Sequence, residues 1–318
     1  MVTKTTVDDT SITFTSVVSD SNDFVETRRT GKPHNRAIFG FGYATTTTSI
    51  TNLVNVFGGV ATDTTTAGQV RYALAAAGYG GDKAIFAFGT TGSNSRDITL
   101  FSNTGTYVSN STGSGTARYG LAAASYGGDK AIFGFGFSTA YINAISLFSN
   151  IGDYVSESSG SGTARSGLAA AGYGGDKAIF GFGYNGSNYL TTISLFSNTG
   201  TYVDEPTTAG TARSYLAAAT YGGDKAIFGF GSTSSYFNTI SLFSNTGAYV
   251  SESSGVGSAI TDLTASSYGG DKVIFGFGGI FMSGRTNLIS LFSNTGAYVS
   301  ESAGVGTSRR NLAAASWG

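Results

Sequence analysis

The chain has 318 residues, 12% of them charged, and a formal net charge of −1. So sparse and even a charge excludes the clustered Lys and Arg on which non-specific nucleic-acid binding depends. There is no cysteine, which removes disulfides, thiolate metal sites and cysteine nucleophiles together.

Residues 1–36 are rich in Thr, Ser and Asp and match nothing downstream. Their start, MVTKTTVDDTS, lacks the apolar run of a signal peptide, and no stretch of the chain approaches a membrane span, so the expectation is a soluble chain made in a cytoplasm without membrane insertion. One alternating run, Ser11-Ile12-Thr13-Phe14-Thr15, predicts a strand. Two readings stand for this arm: a partly ordered tail lying on the body, or a docking segment that joins the subunit to a larger assembly.

From Ala37 onward the chain repeats itself. The string YGGDKAIFGFG is complete at 126–136, 173–183 and 221–231, nearly so at 79–89 and 268–278, and reduced to AIFGFG at 37–42. Its isoleucines, Ile38, Ile85, Ile132, Ile179, Ile227 and Ile274, are spaced by 47 or 48 residues. Self-similarity at that period signals a propeller or a solenoid. The copy from Ala164 to Gly210 shows four strand candidates, a to d. Leu168-Ala-Ala-Ala171 and Ala178-Ile-Phe-Gly-Phe-Gly183 are joined by a Gly-Gly-Asp-Lys hairpin, and Ile193-Ser-Leu-Phe196 and Thr201-Tyr-Val203 by Ser-Asn-Thr-Gly. Strand b is apolar on both faces, with Phe180 and Phe182 expected on one and Ile179, Gly181 and Gly183 on the other, as in a sheet covered on both sides by neighbours. Strand a has the smallest side chains, which places it innermost, where strands crowd.

The two ends of the repeat are complementary. The first AIFGFG has no Leu-Ala-Ala-Ala before it, while the last copy, Leu312-Ala-Ala-Ala-Ser-Trp317-Gly318, stops just short of its turn. Residues 37–318 number 282, six repeats of 47. The expected fold is therefore all-β: a six-bladed propeller of four-stranded blades, closed by the C-terminal strand.

The order Arg165…Leu168-Ala-Ala-Ala171…Ala178-Ile-Phe-Gly-Phe-Gly183…Ile193-Ser-Leu-Phe196 resembles a kelch-type β-propeller repeat. It departs from that pattern in writing Gly-Phe-Gly for the glycine pair and in lacking the outer-strand tryptophan. The near-identical wording, ARxGLAAAxYGGDKAIFGFG followed by SNTG, also resembles repeat proteins common in the genomes of marine bacterial viruses. That likeness covers about 282 residues, and it implies a structural or fibre component of a virion, partnered by other virion proteins.

Chemistry is sparse. Copper radical oxidases similar to galactose oxidase need histidine ligands and a cysteine-linked tyrosine, whereas this chain has one histidine, His34, and no cysteine. The recurring acids Asp82, Asp129, Asp176, Asp224 and Asp271 are read as turn residues, each paired with the lysine that follows. No catalytic residue, metal site or cofactor is predicted.

Two residue sets are candidates for recognition. The loops between strands b and c differ from copy to copy and carry aromatics beside amides: Tyr141, Tyr184 with Asn185, Tyr189, Tyr236 with Phe237, and Phe281. They suit a sugar ring or a protein surface, or else they fold back onto the blade ends. The second set, Arg71, Arg118, Arg165, Arg213 and Arg309, lies three residues before each strand-a leucine, with Ile260 in the remaining copy. Either they ring the channel mouth and hold an anion, or each bonds carbonyls of a neighbouring blade. The leading functional expectation is a non-enzymatic tail, fibre or capsid-decorating component displaying loops for attachment. Its rivals are a lectin-like adhesin for host-surface glycans and a tail-associated glycoside-cleaving enzyme.

Overall fold

The structure, a computed structural model, describes residues 4–7, 12–15, 36–66, 68–159, 162–208, 210–280 and 284–317. Among these there is no helix, and six four-stranded antiparallel sheets carry the all-β, propeller-like architecture. In the sheet numbered 4 here, strand a is Ala169–Tyr173, b Lys177–Gly181, c Ile193–Phe196 and d Tyr202–Asp204, paired in that order. Sheet 1 is assembled from both ends of the repeat region: Ala313–Trp317 pairs with Arg36–Gly40, followed by Ile50–Val54 and Thr64–Thr65. The alternating run near the N-terminus is a strand, Ile12–Thr15, in a hairpin with Lys4–Val7.

Small side chains decide what lies innermost. Each strand a touches the strand a of the next sheet, and Ala313–Trp317 touches both Thr264–Tyr268 of sheet 6 and Ala75–Tyr79 of sheet 2. The apolar core is divided into clusters between successive sheets. One joins Ile179, Phe182 and Ile193 to Leu216, Phe228 and Phe243, and another joins Phe277 and Ile289 of sheet 6 to Ala37 and Phe39 of sheet 1. Strand b is buried on both faces, as its composition predicts, with Ala178, Ile179 and Phe180 wholly inaccessible.

The turns hold the sheets together. Tyr173 pairs with Lys177 across a three-residue turn in which Gly174 and Gly175 have positive φ of 58° and 82°. Gly174 N–H donates to the Asp224 carbonyl of the next sheet at 2.7 Å. A Cβ on Gly174 would sit 2.9 Å from the Asn245 carbonyl oxygen, whereas one on Gly175 would meet nothing. The first glycine therefore permits close approach and the second only the turn.

The expected alternation in strand b fails at one residue. The strand ends at Gly181, and Phe182 has φ of 64°, as do Phe41, Phe88, Phe135 and Phe230, with Phe277 at 60°. A left-handed residue turns its side chain out of the period-2 pattern. Phe180 and Phe182 consequently face opposite interfaces. Phe180 packs back on Phe135, with ring centroids 5.5 Å apart, and its ring edge lies 3.0 Å from where a Cβ on Gly134 would stand. Phe182 packs forward on Phe228, also at 5.5 Å.

Candidate functional site

The arginines are not at a channel mouth. Arg71, Arg118, Arg165, Arg213 and Arg309 are 0% exposed and lie between sheets. Arg165 is representative. Its Nη1 donates to Glu205 Oε1 at 2.7 Å and to the Thr163 carbonyl at 3.1 Å, and its Nη2 to Ser194 Oγ at 2.8 Å and the Phe180 carbonyl at 3.4 Å. The guanidinium lies 4.4 Å from the ring of Phe135 in the preceding sheet, so the left-handed phenylalanine supplies an aromatic face to a buried cation. Glu157 and Glu252 take the part of Glu205 for Arg118 and Arg213, and Asp63 for Arg309. Burial works to raise the Glu157 carboxyl, but hydrogen bonds from Thr116, Ser146 and Arg118 outweigh it and hold the group at about 2. Arg71 has no carboxylate at hydrogen-bonding distance among the described residues: Thr99 and the Phe86 carbonyl hold its Nη2, and burial pushes it down to about 10 against the opposing influence of Asp97. With their terminal nitrogens engaged and their surface covered, these groups form internal girders and offer nothing to an anion from outside.

Two residues past each of the five arginines, and past Ile260 in the remaining copy, comes a second ring. Ala73, Gly120, Gly167, Tyr215, Asp262 and Asn311 immediately precede the strand-a leucines, and all have φ between 52° and 62°. Their peptide groups form an unbroken circuit: Ala73 N–H donates to Asn311, Asn311 to Asp262, Asp262 to Tyr215, Tyr215 to Gly167, Gly167 to Gly120 and Gly120 back to Ala73, at 2.7–2.9 Å. The same residues border a cavity of about 360 Å³ at the loop end, together with Tyr72, Tyr119, Ser166, Arg310 and the six leucines. Beneath it the passage narrows between Ala76, Ala123, Ala170, Ala218, Ala265 and Ala314.

The aromatic loops converge on one side of this funnel. Tyr141 lies 5.1 Å from Phe137 and 5.9 Å from Tyr184, and Tyr184 lies 5.0 Å from Tyr189. Tyr215, half-exposed, is raised in pKa by burial and then by Asp262, Tyr141, Tyr119 and Tyr189, of which Tyr119 and Asp262 border the funnel with it. Asp262 is pushed up to about 6 by burial, with Arg310 opposing. The sequence expectation thus brings together Tyr141, Tyr184 and Tyr189. Asn185 is occupied, its Oδ1 accepting from the amides of Ser187 and Asn188 at 3.0 and 2.8 Å. Tyr236 and Phe237, half-buried, stand on the loop of the following sheet, and Phe281 and His34 lie outside the described residues. Sequence reasoning missed Tyr215, Asp262, Arg310 and Asn311. The available signal was a position that varies among the copies, Ala, Gly, Gly, Tyr, Asp and Asn, between a repeated arginine and a repeated leucine.

At the opposite end the acids serve the turns. Asn103, Asn150, Asn198, Asn245 and Asn294 donate Nδ2 to Asp82, Asp129, Asp176, Asp224 and Asp271 at 2.9–3.1 Å, tying the two hairpins of each sheet together. The following lysine reaches its aspartate within 4 Å at Asp82, Asp224 and Asp271. Among the described residues no group of three or more His, Cys, Asp or Glu is placed to hold a metal ion, and no helix is long and apolar enough to cross a membrane. No protein-family model matches the chain, and no curated protein matches it in sequence.

Proposed function

We propose that the chain is a closed, six-bladed, kelch-like propeller that acts as a non-enzymatic attachment module, displaying its loop end outward. The observation that carries this reading is the circuit of six peptide hydrogen bonds through Ala73, Asn311, Asp262, Tyr215, Gly167 and Gly120, which presents one rigid rim topped by clustered tyrosines. Binding residues held on loops above such a scaffold keep their geometry without ordering on contact. Asp262 is the one carboxylate lining the funnel among the described residues, while glycoside hydrolysis ordinarily uses a facing pair. The wording of the repeat supports placement in a virus particle, beside other virion proteins, as its tail, fibre or capsid decoration.

Attachment of the purified protein to host cells tests the module. Tyr184→Ala and Tyr189→Ala are expected to weaken attachment by up to about thirty-fold, the effect of losing a pocket-filling aromatic, with melting temperature nearly unchanged. Asp176→Asn with Lys177→Gln, at the turn end, is expected to leave attachment at wild type. Loss through the turn-end pair alone would show that the protein presents its other end.

A further inference from the structure

Four of the six left-handed positions on the circuit carry small or amide residues, and the other two carry Tyr215 and Asp262, each at φ of 55°. Tyrosine is strained in that conformation, whereas aspartate tolerates it, and such strain gathers where side chains have work to do. Among the described residues the side chains of Asp262, Asn311 and Arg310 hold no hydrogen bond, although all three border the funnel. The opening therefore has two unlike halves. Tyr72, Tyr119 and Tyr215 offer aromatic surface on one arc, and sheets 6 and 1 offer an acceptor, an amide and a donor on the other.

Resting on the attachment reading, we infer that this axial funnel binds a single terminal, uncharged hexopyranose of a surface glycan. Asp262 accepts hydrogen bonds from two ring hydroxyls, Asn311 and Arg310 complete the polar arc, and a tyrosine face covers the C–H side of the sugar. Charge selects the class. One carboxylate and one guanidinium border the same opening, so an anionic or cationic ligand attracted by one is repelled by the other. A polyhydroxyl ring uses both without that conflict. Size agrees, since about 360 Å³ is near the lower end of the roughly 300–1,000 Å³ of small-ligand pockets, and the alanine constriction beneath stops a chain from threading through. The outer tyrosines Tyr141, Tyr184 and Tyr189 would then meet the next residues of the glycan.

Saturation-transfer NMR and calorimetry of the full chain with methyl glycosides of glucose, galactose, mannose and N-acetylglucosamine test the site. At least one is expected to bind in the millimolar range, with transfer from tyrosine ring protons. Asp262→Asn and Arg310→Ala, each confirmed folded by circular dichroism, are expected to weaken it about ten-fold or more, and Asp176→Asn to leave it unchanged. Absence of binding by all four glycosides, or binding indifferent to both funnel substitutions, overturns the inference. Cell attachment measured on the same samples separates the two claims. Cells held without sugar binding would remove the funnel site and keep the attachment module, whereas sugar binding without cell attachment would do the reverse.

Discussion

A buried arginine is an expensive residue to repeat five times, and the reason it survives lies in its neighbours. Arg165 meets a carboxylate, a hydroxyl, two carbonyls and an aromatic face, which together replace its lost hydration; only its Nε has no partner. Removing one member should cost more than removing the pair, because the survivor is left as an unpaired, largely desolvated charge. Arg165→Ala is expected to lower stability by about 3–5 kcal/mol, and Arg165→Met combined with Glu205→Gln to recover much of that, as read from denaturant midpoints. Asp262 makes the opposite contribution. Its pKa is raised to about 6 in the folded chain from 3.8, so well below pH 3.8 the group is neutral in both states and costs nothing. As pH rises from 3.8 to 6 the folded state is increasingly penalised, and above 6 the penalty levels off. Asp262→Asn should therefore match the wild type near pH 3 and be the more stable protein at pH 7, a difference readable in thermal melts across that range. Glu157, held at about 2 against 4.5, contributes stability that is present above pH 4.5 and lost as pH falls toward 2, so the two groups act in separate windows.

At the scale of the element, strand b and its turn show how a short strand serves two interfaces. Phe180 lies over Gly134 of one neighbour and Phe182 against Phe228 of the other. Phe180→Ala should cost about 3–5 kcal/mol, as for other buried aromatic truncations, and an unchanged denaturation midpoint would refute the packing described. The two turn glycines should differ. Both have positive φ, but only Gly174 faces a backbone oxygen at 2.9 Å from its would-be Cβ. Gly175→Ala is expected to cost about 1 kcal/mol of conformational strain, and Gly174→Ala distinctly more, because the next sheet must move. Equal losses in the two variants would mean that the inter-sheet bond from Gly174 to Asp224 matters little.

On the scale of the whole molecule, the C-terminal segment carries several connections at once. It supplies strand a of sheet 1, the girder Arg309, the circuit residue Asn311 and an indole N–H that donates to the Asn103 carbonyl of sheet 2 at 2.9 Å. Deleting residues 306–318 removes all of them and opens two strand-a contacts. The truncated chain is expected to lose its single cooperative melt or to associate through the exposed edge. A cooperative transition near the full-length temperature would overturn the closure proposed here.

Much of this was legible beforehand because it depends on contacts that the repeat makes with copies of itself. The four strands per copy, the glycine turn, burial of strand b on both faces and the C-terminal strand pairing with Arg36–Gly40 all follow from local pattern and counting. What the tertiary structure decided are the features that need a particular neighbour in space. Phe182 leaves the alternation and lays its ring against Arg213, 31 positions later, whereas a period-2 reading presumes extended backbone at every step. The fate of Arg165 was set by Glu205, 40 residues away, which no spacing rule links to it. The funnel was least visible of all. Tyr72, Tyr119, Tyr215, Asp262 and Arg310 come from five different copies, and only the inward convergence of the strands brings them to one opening, at positions where the copies differ from one another.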